Sequence, residues 1–343
     1  MSIEHKPLLS ICIPTYNRAA YLPTLLDGIF TQKNPNVEVV VSDNASADNT
    51  SEIIKKYPGV IYHRSGKNLG FDVNVLKAVS LASGKYCWLV GDDDALKPGA
   101  LEYLLQNIKS NYGFYAVSVD LCDVDLKFLQ CGDYIKQAQD GEVIDLSRKK
   151  TMLAYLARVK ANMGLFGYMG TAVFQKTLWD KNLDGADKVV GLGWVHVYML
   201  WRMKGAFQYL ARPVLDLRLH NDAIIKNKGR VARLVTEFKG LYLTARVVFA
   251  DDKAGFEAFV AAVARYVAPN SIPPLFMLTR DDKKHWPQLV EWINKYPYPQ
   301  KFKKSLDSRR RLSVIYFLRE FLNKPACRHI KKPFKFVKDY FKG

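Results

Sequence analysis

Between Tyr86 and Gly99 the chain reads YCWLVGDDDALKPG. A short apolar run ends at Gly91, and Asp92, Asp93 and Asp94 follow with no spacer. Three adjacent carboxylates repel one another, so a local cation is the natural remedy. Carboxylate oxygens are the hard ligands that Mg²⁺ and Mn²⁺ prefer. Mg²⁺ in particular is usually held by one or two carboxylates plus substrate phosphates. On an extended backbone Asp92 and Asp94 would point one way and Asp93 the other, so two of the three would face one ion. The competing reading is a solvated acidic turn before a helix, whose N-terminus also favours carboxylates. The position directly after a buried strand weighs toward the ion.

Three more polar clusters each follow an apolar run. PTYNR, Pro14–Arg18, offers the flat face and hydroxyl of Tyr16 and an Arg18 cation suited to phosphate; Thr15 or Asn17 is equally suited to capping a helix. SDNASADNT places Asp43 at a strand end, where a carboxylate accepts from a base N–H or a ribose hydroxyl. Ser46, Asp48 and Thr50 read as caps of the next helix. In NLGFDVN, Gly70 allows close backbone approach, and the Asn68 and Asn74 side chains both donate and accept.

The elements that must position these groups follow from periodicity. Leu8–Pro14, Val37–Ser42, Val60–His63, Tyr86–Val90 and Tyr115–Leu121 read as strands. Ala19–Phe30, Asp48–Tyr57 and Phe71–Ser83 read as helices between them, and Pro98 opens another. This alternation predicts a mostly parallel α/β sheet with helices on both faces, in which ligands bind at the carboxyl ends of the strands. Further on, Glu142–Leu146 reads as a strand, Lys149–Val159 as a helix, Gly167–Gln175 as a strand and Val195–Met203 as a helix. Phe207–Leu219 is extended and broken by Pro213. Beyond residue 222 the pattern turns helical and basic, over roughly 228–250, 254–267, 283–295 and 310–322.

With these motifs in place the chain resembles the family 2 glycosyltransferases of the GT-A fold. LSICIPTYNRAAYLPTLLDGI, EVVVSDNASADNT and NLGFDVNVLKAVSLASGKYCWLVGDDDALKPGAL stand in that family's order and spacing, closely over residues 8–105 and more weakly to about 222. The resemblance implies that Pro14, Thr15, Tyr16, Arg18 and Asp43 hold the nucleotide of a nucleotide-diphosphate sugar, and that Asn68, Gly70 and Asn74 line the donor pocket. The aspartates resemble the family's DxD motif, with Mn²⁺ or Mg²⁺ bridging the donor diphosphate. Asp92 and Asp94 are the expected metal ligands, and Asp92 and Asp93 also contact the donor. The usual form carries an Asp where Gly91 stands, so the choice among the three stays open.

Family members usually carry a Glu-Asp pair before an amphipathic helix, the Asp serving as general base. With Arg202 as the marker, Val195 and His196 stand there instead. His196, with a reference pKa near 6.5, is the base candidate, or else a packed core histidine or a metal or phosphate contact. Asp180, Asp184 and Asp187 are upstream carboxylates, Asp187 being the back-up. His220 stands where many GT-A enzymes place a histidine on the metal or the diphosphate. The resemblance thus implies an inverting sugar transfer to a glycan or polyprenyl-diphosphate-linked saccharide in bacterial surface polysaccharide assembly.

Composition bounds the partners. The 343 residues are 49% hydrophobic, as in globular proteins. The five cysteines form no CxxC pair, which points to reduced thiols and a cytosolic setting; Cys12 and Cys87 read as core. The N-terminus lacks the pattern of a signal peptide, and no apolar run is long enough to span a membrane. Of the net charge of +18, fourteen Lys and Arg against Asp307, Glu320 and Asp339 contribute +11 between Lys301 and Gly343. There, Phe334, Val337, Tyr340 and Phe341 recur at helical spacing among lysines, the pattern of an in-plane membrane binder. The expected organisation is a catalytic domain over 1–222, divided into a nucleotide-sugar part (1–125) and an acceptor-side part (126–222). A helical, membrane-associating region follows over 223–343, peripheral on the inner face of the cell membrane. A nucleotidyltransferase would open with a Gly-rich loop that PTYNRAAY lacks. A nucleic-acid-binding protein driven by the basic tail is one rival, although no zinc-finger spacing or RNP-type motif supports it. A nucleotide-sugar-binding pseudoenzyme is the other, because the Glu-Asp pair is missing. Oligomeric state is not legible.

Overall fold

The computed structural model describes residues 6–32, 34–109, 112–219, 237 and 239–266. These lie in one compact unit that spans Met1–Ala223 and Thr236–Tyr266. His220 and the basic segment after residue 301 lie outside the described residues.

The first half is built as the periodicity predicts. β1 (Leu9–Thr15), β2 (Val37–Asp43), β3 (Val60–Arg64) and β4 (Tyr86–Leu89) alternate with α1 (Leu22–Phe30), α2 (Thr50–Ile54) and α3 (Phe71–Ser80). All seven residues of β1 are buried, the condition of a strand covered on both faces. β1 pairs in parallel with β2 on one side and β4 on the other, and Thr15 is level with Asp43 at the carboxyl end. The chain therefore crosses from one side of β1 to the other, which opens a crevice at the strand ends. α1 buries Leu22, Leu25, Leu26 and Ile29, the stripe its i, i+3, i+4, i+7 spacing requires.

The large sheet has eight strands in the order β3-β2-β1-β4-β10-β6-β11-β9. β10 (Ala172–Gln175) runs antiparallel between β4 and β6 (Phe114–Val117), and β9 (Val143–Asp145) closes the far edge against β11 (Ala206–Leu210). A smaller sheet, in the order β5-β12-β7-β8, was not foreseen. Its members are β5 (Ala95–Leu96), β7 (Asp120–Cys122), β8 (Phe128–Cys131) and β12 (Leu215–Arg218). The expected strand Tyr115–Leu121 is in fact two, β6 in the large sheet and β7 in the small one. Lys97 ties the small sheet together, with Nζ 2.8 Å from Asp120 and 2.7 Å from Asp216.

The remaining helices are α4 (Ala100–Asn107), α5 (Lys149–Arg158), α6 (Lys176–Lys181), α7 (Val195–Arg202), α8 (residues 239–248) and α9 (Lys253–Tyr266). α9 packs on α5, and Trp201 of α7 meets Phe249 and Phe259, so α8 and α9 belong to the α/β unit. Cys12, Cys87 and Cys122 are buried free thiols, and Cys131 is exposed. Burial pushes the Cys12 thiol well above its usual range, as expected of an inert core cysteine. Among the described residues no helix is long and apolar enough to cross a membrane.

Candidate active site

A cleft of about 410 Å³ opens at the carboxyl ends of β1 and β4. It gathers residues from every polar cluster: Pro14, Thr15, Tyr16 and Arg18; Asn68, Gly70 and Asn74; Asp92 and Asp93. Asn44, Phe71, Gly91 and Met169 complete its wall.

Two loops are laced together to make one side. The Asn17 N–H donates to Ser46 Oγ at 2.9 Å, Ala47 N–H to Asn17 Oδ1 at 2.8 Å, and Ala19 N–H to Asp48 Oδ2 at 3.0 Å. Ser46 and Asp48 therefore bind the first loop. α2 begins after Asn49, which makes no side-chain cap. Asn74 accepts from the Ser42 hydroxyl at 2.7 Å and donates to the Thr15 carbonyl at 3.2 Å, which fixes α3 against the ends of β1 and β2. Asn44 Nδ2 donates to Asn68 Oδ1 and to the Gly70 carbonyl, while its Oδ1 accepts from Leu69 N–H. Gly70 has a φ of +88°, a conformation that glycine adopts freely. Tyr16 is 43% exposed and lines the cleft.

Asp43 does not line this cleft. Its carboxylate is fully buried and accepts from Ser46 N–H at 2.8 Å and from the Tyr62 hydroxyl at 2.7 Å, with Arg64 Nε at 3.6 Å. Burial and the bond to Asp43 push the Tyr62 hydroxyl well above its ordinary pKa. Asn44, the next residue, is the one that reaches the cleft wall.

The acidic stretch is a turn rather than an extended segment, with Asp94 N–H donating to the Gly91 carbonyl at 3.3 Å. This overturns the strand-like alternation. Asp92 and Asp93 both turn to Arg18, each 3.8 Å from its guanidinium. Asp94 does not line the cleft; it is 4% exposed and accepts from Arg218 N–H at 2.9 Å. A Cβ at Gly91 would come within 2.7 Å of Asp94 Oδ2 and 3.1 Å of Asp93 Oδ1. A side chain at position 91 would therefore require those two carboxylates to shift. Burial and the adjacent Asp93 charge push Asp92 up to about 7, against the pull of the Thr15 hydroxyl and Arg18. Burial and Asp93 likewise raise Asp94, against the Arg218 N–H.

Sequence reasoning missed Arg218. Its Nε donates to the Asp93 carbonyl at 2.6 Å, an Nη donates to the Val124 carbonyl, and its guanidinium lies 5.1 Å from the Tyr21 ring centroid. It clamps the acidic turn from behind. The sole signal in the sequence was its place two residues before His220. Asp72 was also missed. From the first turn of α3, its carboxylate accepts from Gly191 N–H at 2.7 Å, Gly193 N–H at 2.8 Å and Val195 N–H at 3.1 Å. It thereby sets where α7 begins.

His196 lies behind the cleft wall. It is 4% exposed, its ring meets Phe71 edge-on at 6.1 Å, and its Nε2 lies 3.2 Å from the Gly167 carbonyl. That contact requires the proton on Nε2, which leaves the Nδ1 lone pair buried without a partner. Burial pulls its pKa below the ordinary value, partly offset by the Gly167 carbonyl and the Asp72 charge. The unfolded chain therefore takes up this proton first as pH falls. The stability that neutral His196 contributes is present above about pH 6.5 and is lost below it. Between pH 7.5 and 5 the raised carboxyls of Asp92 and Asp94 act in the opposite sense, so the His196 contribution is read as a difference: chemical denaturation should show His196→Gln gaining stability relative to the unaltered protein as pH falls, and an identical pH dependence of the two would contradict this. Asp187 is exposed on a short turn, Ala186–Lys188, and does not line the cleft.

Comparison with known proteins agrees with this architecture. Residues 10–147 match the family model described as Glycosyl transferase family 2. The chain is 33% identical over 242 residues to the abequosyltransferase RfbV of Salmonella typhimurium, covering 67% of this chain and 72% of that one. A Campylobacter jejuni GalNAc(5)-diNAcBac-PP-undecaprenol beta-1,3-glucosyltransferase is 33% identical over 113 residues, 32% of this chain and 36% of its own. Among solved structures, S. aureus TarS 1-349 in complex with UDP-GlcNAc superposes with a TM-score of 0.60 at 14% identity, covering 92% of this chain and 88% of that one. The chain belongs to glycosyltransferase family 2. It has the GT-A architecture and is a glycosyltransferase.

Proposed function

We propose that the chain transfers one sugar from a nucleotide-diphosphate donor, held with Mn²⁺ or Mg²⁺, to a polyprenyl-diphosphate-linked saccharide. The setting is bacterial surface polysaccharide assembly on the cytoplasmic face of the membrane. The observation that carries it is the pair Asp92 and Asp93, both turned to Arg18 in a cleft walled by Asn68, Gly70 and Asn74. The pair fits a divalent ion. Two hard carboxylates sit together where burial and mutual repulsion already raise Asp92, and a cation relieves both. Among the described residues no three His, Cys, Asp or Glu side chains are grouped to share an ion, so phosphate oxygens of the donor would supply further ligands. When bound there, the ion would neutralise charge on the departing diphosphate.

The protein's own residues do the rest. Arg18 offsets phosphate charge, and Tyr16 offers a ring face to the base. Asn44, held by Asn68 and Gly70, presents the pocket wall. The acceptor hydroxyl attacks the anomeric carbon as the bond to the diphosphate breaks, inverting the centre. The hydroxyl proton passes to a base, for which neutral His196 keeps a free lone pair; Phe71 must move to admit it. Asp187 is the back-up and His220 a further ligand of the ion or diphosphate. The region 223–343 is assigned to contact an anionic membrane surface, and 126–222 to the acceptor side. The likeness to the undecaprenol-linked glucosyltransferase supports the acceptor class.

The test is sugar transfer to undecaprenyl-diphosphate-linked saccharides, from UDP-, GDP-, CDP- and dTDP-sugars, with Mn²⁺ or with EDTA. Transfer with the ion and a loss of about 100-fold or more in EDTA are expected. Undiminished transfer in EDTA removes the ion, and transfer to soluble glycans alone removes the lipid linkage. Loss of anionic-vesicle binding on deleting 310–343 would support the membrane contact, and unchanged binding would refute it.

A further inference from the structure

A second cavity, of about 420 Å³, shares no lining residue with the donor cleft. It lies at the far end of α7. Arg202, on its wall, follows His196 by six residues, about 9 Å along the helix axis. The volume suits a small ligand, and the walls are of two kinds. Met152, Val248 and Phe249 give it apolar lining, and Lys149, Lys188, Arg202 and Lys204 bring four cations.

Three carboxylates, Asp184, Asp251 and Asp252, also line it. Asp252 is spent, since it lies 2.9 Å from Lys149 Nζ and accepts from Gly255 N–H at 3.1 Å. Asp184 and Asp251 are exposed. Among the described residues Lys188, Arg202 and Lys204 enter no ion pair, and Arg202 Nε is buried with no hydrogen-bond partner. A guanidinium that lines a cavity without an acid partner would be matched by an anion held there. α5 adds to this lining. Its N-terminus at Lys149 has no side-chain cap, so free backbone N–H groups and the positive end of the helix lie beside the cations.

From these features together we infer that this cavity binds a phosphate group, through Arg202, Lys188, Lys204 and the N-terminus of α5. Phosphate matches the guanidinium fork and the helix terminus alike. The apolar lining suits a hydrocarbon as well, and the experiment below separates a lipid-borne phosphate from a soluble one.

The experiment is calorimetric titration of the full chain with inorganic pyrophosphate and with farnesyl diphosphate. It is run on the unaltered protein, Lys188→Glu, Arg202→Gln and Arg18→Ala. The inference predicts that Lys188→Glu and Arg202→Gln weaken binding at one site at least tenfold, while Arg18→Ala leaves that site intact. Lys188 is exposed, so its variant keeps the test valid should Arg202→Gln fail to fold. Farnesyl diphosphate at least tenfold tighter than pyrophosphate would identify a lipid-borne phosphate, and equal affinity a soluble one. Binding that Arg18→Ala abolishes and Lys188→Glu leaves unchanged would place all phosphate in the donor cleft and overturn the inference.

Discussion

Asp93→Asn should lower kcat for sugar transfer by about 10³-fold, roughly 4 kcal/mol of transition-state stabilisation, with the fold retained. The substitution keeps the volume and removes one of the two charges that face Arg18. Asp92→Asn should act in the same direction, since its carboxylate faces the same guanidinium. Asp94→Asn should cost less than about tenfold, because an amide oxygen can still accept from Arg218 N–H. Steady-state kinetics on the three variants, with circular dichroism as the fold control, checks this ordering. Full activity in Asp93→Asn beside a dead Asp94→Asn would restore the Asp92–Asp94 pair that strand-like alternation implied.

The second large effect is on stability. Asp72→Ala should cost about 3 kcal/mol, because it strands three N–H donors that one buried carboxylate now satisfies. Gly191 and Gly193 both hold positive φ, 89° and 80°, so the loop entering α7 adopts a shape that few other residues would take. Asp72→Asn keeps one acceptor oxygen and should fall between. Urea unfolding would show the midpoint moving with little change in slope. A change under 1 kcal/mol for Asp72→Ala would mean that water replaces the carboxylate and that α7 is fixed by packing alone.

The parts that were legible in the sequence share one property: their signal is local. The apolar runs of β1 to β4 and the helical stripe of α1 need only neighbouring residues to be read. The polar clusters that follow them fell into one cleft because parallel strands end together. What was not legible depends on distant partners. β5 is two residues long and is a strand because β12 pairs with it. The break between β6 and β7 arises because the chain leaves one sheet for another, with no turn residue to mark it. The turn at Asp92–Asp94 is set by Arg218, more than a hundred residues away. Asp72 stands in the first turn of a helix, where any acid is favoured, so nothing nearby sets it apart. Asp43 was recognisable as a strand-end carboxylate, but Tyr62 and Arg64 on the next strand enclose it.

The most direct test of the donor site is calorimetric binding of UDP, GDP, CDP and dTDP to the full chain, each with Mn²⁺ and with EDTA. Tight binding of one nucleotide, present with the ion, weakened at least tenfold in EDTA and lost in Asp93→Asn, is the predicted result. Equal affinity in EDTA, or full affinity in Asp93→Asn, would contradict a donor diphosphate held through an ion at Asp92 and Asp93.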